Sequence, residues 1–428
     1  MSMHHPSKTA LLCGVNVCFT VAVLVCLYLY RVSILEWHWT YWVIVIYGLV
    51  VTSFMVFRLI SAYLYKPVPD RGYRPKVSII IPVYNEENVI GSTIDAILNS
   101  NYPKDKLELV VIDDKSKDNS LKVIKKKSLE YNFKVITHSE NMGKRHAMAS
   151  GVKQCTGEIL VCLDSDTLVE PDSVKMLVQP FIDKEVYCVC GNTSVINKNS
   201  SKTTTLLTRF QKVWYAEAFR VRKGVESLFG MVLCCSGVFS AYRREKFEAV
   251  INEWLNEKFL GRTVVAGDDR QMTNLMMRMG GKSVFQSTAL TYTIVPHSVK
   301  KFINQQVRWA RGSVRGTTLA LTFFNRKNLS QKILFYLITF STFITPFVLV
   351  ISIIGLALFG GTSGFVSYAL GLIIVAFLYA LTDKILISYF TVKDAAYRIA
   401  LFVLMLPITF VYLYGWITPW KGTVWGTR

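Results

Sequence analysis

The chain has 428 residues, 51% of them apolar and 18% charged, with 49 basic and 29 acidic side chains for a formal charge of +20. It is too oily for an ordinary soluble protein and long enough for more than one folding unit. Its nine cysteines form no C-x-x-C pair, which argues against a zinc site or disulfide framework, and no nucleic-acid motif accompanies the basic excess.

Apolar residues gather at the two ends. Residues 11–30 and 39–57 carry no charge, and each has about the 20 residues needed to cross a bilayer. A cleaved signal peptide fits 11–30 poorly, because the run is long and a second one follows a short Trp-rich turn. Toward the other end, residues 333–359, 364–382 and 399–420 are also uncharged, while 66–332 has ordinary globular composition. The expected layout is two membrane helices in 1–65, a soluble domain in 66–300, membrane-interface helices in 301–331 and a membrane region in 332–428. Arg58, Lys66, Arg71, Arg74 and Lys76 follow the second apolar run. By the positive-inside rule they place the soluble domain in the cytosol of a multi-pass plasma-membrane protein, and much of the charge reads as attraction to membrane lipids. The stretches at 393–398 and 421–428 both read as internal, so 399–420 is either re-entrant or a tight pair of short crossings.

Within the soluble domain, "KVSIIIPVYNEENVI" reads as a Val/Ile-rich strand, then a Pro/Asn/Glu loop and a helix with Ile90, Ile94 and Ile97 on one face. "LELVVIDDKSKDNS" is a second strand ending in Asp113-Asp114, and "GEILVCLDSDTLVEPDS" a third ending in Asp164-Ser165-Asp166. Continuous apolar strands alternating with helices predict an α/β fold with a Rossmann-like parallel sheet buried on both faces. Ligands of such sheets sit at the carboxyl ends of the strands, where all three acid clusters fall. A D-x-D there offers hard oxygen ligands suited to Mg²⁺ or Mn²⁺ bridging a diphosphate; the bland alternative is a helix cap. Farther on, "INQQVRWARGS" sets Gln305 one helical turn before Arg308 and Trp309, on one face. An indole is a flat platform for a sugar ring, and a guanidinium can fork onto diphosphate oxygens. An interfacial helix with Trp and Arg at the lipid boundary would use the same residues. The segment 206–224, with Phe210, Trp214 and Phe219, reads as a second membrane-surface helix or a core helix.

The ordered set "VYNEE", "VVIDD", "NMGKRHAM", "LDSDT", "CCSGVFSAYRRE", "GDDRQMTN", "QQVRWARG" and terminal "WGTR" resembles the processive family 2 glycosyltransferases, most of all the hyaluronan synthases. Cellulose and chitooligosaccharide synthases share most of it. The resemblance runs from about Lys76 to Gly312 and resumes at the C-terminus. It implies a GT-A catalytic domain using UDP-sugar donors on a nascent polysaccharide. On that resemblance Tyr84, Glu86 and Asp113 contact UDP, and Asp164 and Asp166 hold the metal, with Asp164 also facing the donor. Lys144 and Arg145 are nucleotide or phosphate contacts, or else a solvated basic loop. Asp269 is the general base, with Asp268 the alternative. Cys235, Ser236 and Gly237 line the acceptor site beside Trp309. Gln305, Arg308, Trp425 and Arg428 complete the UDP contacts, though relatives often run past the position of Arg428, and a terminal carboxylate there would weaken a phosphate contact. The implied activity is inverting polymerisation of UDP-GlcNAc and UDP-GlcA with export of the product. A chitin-like homopolymer synthase, a lipid-phosphate glycosyltransferase and a transporter with a nucleotide-binding domain are the competing readings.

Overall fold

The structure is a computed structural model that describes residues 39–196, 206–264, 266–359, 373, 377, 380–381, 396–397 and 407–421. The predicted crossing at 11–30 and the terminal WGTR lie outside the described residues.

The chain enters through α1 (Trp39–Leu64) and then alternates. β1 (Val77–Val83), α2 (Ile90–Leu98), β2 (Leu107–Asp113), α3 (Ser120–Tyr131), β3 (Lys134–Thr137), α4 (Lys144–Gln154) and β4 (Ile159–Leu163) form the first half. Short elements β5 (Leu168–Val169) and α5 (Ser173–Leu177) lead to β6 (Val186–Val195). Then come α6 (Leu206–Ala216), a π-helical turn (Glu217–Arg222) and α7 (Lys223–Leu228). β7 (Phe239–Arg243), α8 (Arg244–Leu255), the small hairpin β8 (Lys258–Phe259) and β9 (Arg262–Thr263), α9 (Asp268–Arg278) and β10 (Lys282–Thr293) complete the domain. Two long helices follow, α10 (Val299–Phe324) and α11 (Leu329–Phe359), and a helical segment over 407–416 ends the described chain.

The main sheet runs β3-β2-β1-β4-β7-β6-β10-β5. β1 pairs in parallel with β2 and β4, and every residue of β1 is buried. That is the physical content of an uninterrupted VSIIIPV: both faces are covered by helices, so no polar alternation survives. Ile90, Ile94 and Ile97 of α2 are fully buried against this sheet, on the face the helical spacing predicts. The sheet departs from the all-parallel expectation at β7, which runs antiparallel to both β4 and β6 in the centre, and at the edge strand β5. A strand buried on both faces carries no mark of direction in its apolar pattern, so β7 is invisible as a reversal in the sequence.

Phe210 and Phe219 are buried within the protein, and Trp214 meets Phe302 of α10 edge-on at 6.1 Å. The segment 206–224 therefore buries one face in the core, while Leu206 at its start is exposed. One cluster binds α1 (Phe54, Ala62), α7 (Val225), α9 (Met277), α10 (Phe323, Phe324) and α11 (Leu334, Phe335). Among the described residues one stretch, Leu329–Val348, is long and apolar enough to cross a membrane; 11% of it is buried within the protein. Its apolar side chains thus face outward, which an aqueous setting penalises.

Candidate active site

The carboxyl edge of the parallel strands gathers the acids. Val83 of β1 lies opposite Asp113 of β2, and Asp164 directly follows β4 on the other side of β1. Adjacent strands are about 4.8 Å apart, so Asp113 and Asp164 stand on the order of 10 Å apart across this edge. Asp113 is buried; one oxygen accepts the Ser116 amide at 3.3 Å, while Oδ1 has no hydrogen-bond partner among the described residues. A buried orphan acceptor at a strand end calls for a donor from a ligand, such as a ribose hydroxyl or a base N–H. Tyr84 and Glu86 are half-buried in the loop after β1, where the Glu86 amide donates to Ser120 Oγ at 2.7 Å.

Asp114 has a different task. Its Oδ1 accepts the Met142 amide (3.0 Å) and meets His138 Nδ1 (2.7 Å), its Oδ2 accepts the Gly143 amide (2.8 Å), and His138 Nε2 meets Ser150 Oγ at 3.0 Å. These bonds pin the NMGKR loop to the strand end, and Gly143, at φ +87, turns the chain into α4. Lys144 and Arg145 therefore leave a fixed backbone, toward different partners. Arg145 is buried and immobilised: Nε donates to Asp268 Oδ1 (2.8 Å), Nη2 to Glu257 Oε2 (2.9 Å) and Nη1 to the Trp254 carbonyl (2.7 Å). Burial pushes the Glu257 carboxyl up despite the neighbouring Arg145. Lys144 Nζ donates to Asp164 Oδ1 at 2.5 Å. Burial alone would depress this ammonium, yet Asp164, and then Asp268 and Asp269, hold it above the ordinary lysine range.

The second acid pair is carried by α9. Gly267, at φ +92, gives the left-handed turn that starts this helix, and Arg315 of α10 anchors the turn by donating to the Ala266 carbonyl at 2.6 Å. The turn separates the two acids. Asp268 faces Arg145, while among the described residues Asp269 accepts backbone amides, from Gly237 (Oδ2, 3.2 Å) and Arg270 (Oδ1, 2.8 Å). A β-carbon on Gly237 would lie 3.0 Å from Lys144 Nζ and 3.8 Å from Asp269 Cβ, and the Asp164 amide donates to the Val238 carbonyl at 3.3 Å. Gly237 and Val238 thus form the short span between the D-x-D and the GDD, with Lys144 lying across it.

Ser236 and Gly237 are half-buried at this span, but Cys235 departs from its predicted place as acceptor lining. Its side chain is fully buried among core residues including Cys188 and Cys190, and burial pushes its thiol well up. The amide of Cys235 donates to Thr273 Oγ1 (2.8 Å), so adjacent residues of an extended segment face opposite ways and the sulfur points inward.

The third group comes from α10. Trp309 is 39% exposed and lies 6.3 Å from the ring of Tyr215, which stacks on Phe219 at 5.9 Å. Tyr215 feels the charges of both Asp164 and Arg308, and burial holds its phenol above the usual range. Arg308 Nε is buried without a hydrogen-bond partner among the described residues. Gln305 Oε1 accepts from Gln306 at 3.5 Å, and Gln306 in turn accepts from Tyr412 at 3.2 Å. Trp425 and Arg428 lie outside the described residues. Tyr215, one aromatic residue in an aromatic-rich run, carries no local signal of its place, and the Asp114–His138 brace is signalled by nothing beyond the second acid of "VVIDD".

Asp166 is buried, and Thr293 Oγ1 donates to its Oδ2 at 3.5 Å. Among the described residues no group of three or more His, Cys, Asp or Glu side chains could hold a metal by itself. Two carboxylates at a strand end nonetheless suit a divalent ion whose other ligands are diphosphate oxygens and water. The Lys144 ammonium on Asp164 shows that positive charge is already accommodated there. The residues fit.

Comparison with known proteins agrees with this geometry. The family described as Glycosyl transferase family 2 matches residues 78–251. A hyaluronan synthase of Streptococcus pyogenes is 33% identical over 283 residues, covering 64% of this chain and 66% of that protein. An N-acetylglucosaminyltransferase of Rhizobium meliloti is 30% identical over 286 residues, covering 64% and 66%. The chain thus spans just under two thirds of the length of these relatives. A mannosyltransferase from Pyrobaculum calidifontis, solved in complex with GDP-Man and Mn²⁺, superposes with a TM-score of 0.57 at 20% identity, over 82% of this chain and 94% of that one. At that identity the likeness extends to the fold, a GT-A-like mixed sheet.

Proposed function

Because the chain belongs to glycosyltransferase family 2, we propose that it is a membrane-embedded, processive, inverting transferase that polymerises UDP-sugars, making hyaluronan from UDP-GlcNAc and UDP-GlcA and passing the polymer across the plasma membrane. One observation carries the reading: Asp164, Lys144, Gly237 and Asp269 form a continuous chain of contacts, and Tyr215, 6.3 Å from Trp309, lies where the charges of Asp164 and Arg308 both reach it.

In this reading Asp113 fixes the nucleoside, and Trp309 with Tyr215 offers two tilted rings that seat the acceptor sugar. Asp269 takes the proton of the acceptor hydroxyl as its oxygen attacks the anomeric carbon. The bond from that carbon to the β-phosphate oxygen breaks, and its electron pair leaves on UDP. Lys144 and Arg308 bring positive charge to the departing diphosphate, where preorganised donors lower the barrier most. A divalent ion on Asp164 and Asp166 would supply further neutralisation without any proton. A single displacement inverts the anomeric centre and needs one base, and Asp268 is already committed to Arg145. A polyhydroxyl polymer cannot cross hydrocarbon unaided, so membrane helices packed onto the catalytic domain give it a conduit.

The test is purified protein with Mn²⁺ or Mg²⁺, given each UDP-sugar singly and in pairs, with product size measured. Polymer only from the UDP-GlcNAc and UDP-GlcA pair, digestible by hyaluronidase, supports the reading. Polymer from UDP-GlcNAc alone would instead establish a chitin-like homopolymer synthase, which the N-acetylglucosaminyltransferase relative favours. Nucleotide bound without UDP release would point to a transporter with a nucleotide-binding domain.

A further inference from the structure

Two neighbouring cations in the site are held very differently. Arg145 has three protein acceptors and is 5% exposed, a fixed part of the fold. Lys144 starts from an equally fixed backbone, because Asp114 holds the two preceding amides, but its ammonium has Asp164 as its ion-pair partner and its side chain is 20% exposed. A lysine is a compact charge on a flexible stem, so a fixed root and a loose tip give it reach without loss of register. Its partner is the first carboxylate of the D-x-D. An ammonium 2.5 Å from Asp164 Oδ1 occupies the approach that a divalent ion needs, and two cations at one oxygen repel.

We propose that Lys144 is an exchangeable internal cation. It neutralises Asp164 while no donor is bound, gives up that carboxylate when a divalent ion enters with the nucleotide, and moves its charge onto the diphosphate. Asp268 and Asp269 are the other carboxylates that act on this ammonium. The first is engaged by Arg145, and the second lies across Gly237. The swing is therefore short and stays inside the site. Exchange makes metal and nucleotide binding mutually dependent: without diphosphate the displaced ammonium has no equal anion to go to. The coupling is reciprocal, so UDP tightens the metal by the same factor as the metal tightens UDP. The inference rests on reading Asp164 and Asp166 as the metal carboxylates.

The experiment is Mn²⁺ titration of the full chain in detergent, followed by the electron paramagnetic resonance signal of free Mn²⁺, with and without UDP. The wild type should bind Mn²⁺ weakly alone and at least about tenfold more tightly with UDP, within the usual range of coupling between sites. Lys144→Gln should tighten nucleotide-free Mn²⁺ binding about tenfold and shrink the effect of UDP by about the same factor, leaving the share that diphosphate ligation supplies. Lys144→Arg, which keeps a charge on Asp164, should stay close to wild type. Gly237→Ala, whose methyl would press on Nζ, should shift in the direction of Lys144→Gln, and it carries the test should Lys144→Gln fail to fold. Unchanged or weaker nucleotide-free binding in both Lys144→Gln and Gly237→Ala overturns the exchange. Asp166→Asn separates the two levels. Loss of UDP-supported Mn²⁺ binding keeps the metal reading whatever Lys144 does, and full retention removes that reading itself.

Discussion

Asp268 and Asp269 are adjacent in sequence and opposite in circumstance, and substituting each with asparagine should separate stability from catalysis. Asp268 is ion-paired at 2.8 Å with an arginine whose side chain is 5% exposed. Removing one partner of a buried pair costs about 3–5 kcal/mol when the remaining charge is stranded. Here Arg145 keeps Glu257 and the Trp254 carbonyl, and asparagine still offers an acceptor, so the cost falls to about 2 kcal/mol. For a domain of this size that lowers the unfolding midpoint by about 4–8 °C. Among the described residues Asp269 accepts two backbone amides and forms no ion pair. Asparagine keeps one of those bonds, so the stability change should stay below about 1 kcal/mol. Turnover should nevertheless fall by about 10²–10⁴, the usual worth of a positioned base.

Thermal unfolding, UDP affinity and the rate of UDP release, measured on both variants, decide the matter. The expected pattern is a destabilised, partly active Asp268→Asn and a stable, UDP-binding, inactive Asp269→Asn. The reverse pattern, with Asp269→Asn turning over near wild type and Asp268→Asn inactive at an unchanged midpoint, would place the base on Asp268 and refute the assignment.

Other perturbations test the supports of the site. A β-carbon on Gly415 would come within 2.5 Å of Ala310 Cβ and 3.2 Å of the Val307 carbonyl. Gly415→Ala should therefore push α10 aside, cost about 1–3 kcal/mol, and lower turnover about 10- to 100-fold through Arg308 and Trp309; turnover within twofold of wild type would mean that this crossing does not set their position. Burial alone would raise Glu108, but hydrogen bonds from Lys134, Ser78 and the Thr156 amide bring it down to about 2 from an ordinary 4.5. Its contribution to stability is thus present above pH 4.5 and lost as pH falls through about 2, and Glu108→Gln should flatten that part of the acid-unfolding curve. Removing residues 424–428 should cut activity while the catalytic domain keeps its unfolding midpoint; unchanged turnover would refute a role for the WGTR motif.

Much of this was legible in the chain because strand ends and acids are local signals. VSIIIPV and LELVVID declare themselves as doubly buried strands, and their carboxyl ends had to carry the site once the sheet was parallel there. What stayed hidden depends on pairings that local pattern cannot encode. β7 reads the same in either direction, so its antiparallel insertion beside β4 could not be seen. "CCSG" offered both a sulfur and a backbone to the acceptor space, and only the packing of Cys235 against Cys188, Cys190 and Tyr242 shows that the sulfur is turned away. "KR" in NMGKRHAM gave two basic residues with one description. Their division into a locked arginine and a loosely held lysine follows from residues more than a hundred positions away for Arg145 and twenty for Lys144.

The same long-range packing joins the catalytic domain to the long helices on either side of it. Met277, near the end of α9, is buried with Phe54 of α1, Phe323 and Phe324 of α10 and Leu334 and Phe335 of α11. At the other end of α9, about 16 Å away for its 11 residues, stand Asp268 and Asp269. The Arg315 guanidinium adds a second tie, donating to both the Ala266 carbonyl before α9 and the Pro419 carbonyl beyond the last helical segment. A rigid helix with one end in the hydrophobic cluster and the other at the base moves with that cluster. In the proposed enzyme, displacement of α1, α10 and α11 by a lengthening polymer would therefore reach Asp269 without any intervening loop. Elongation and passage of the product then act on one continuously packed cluster.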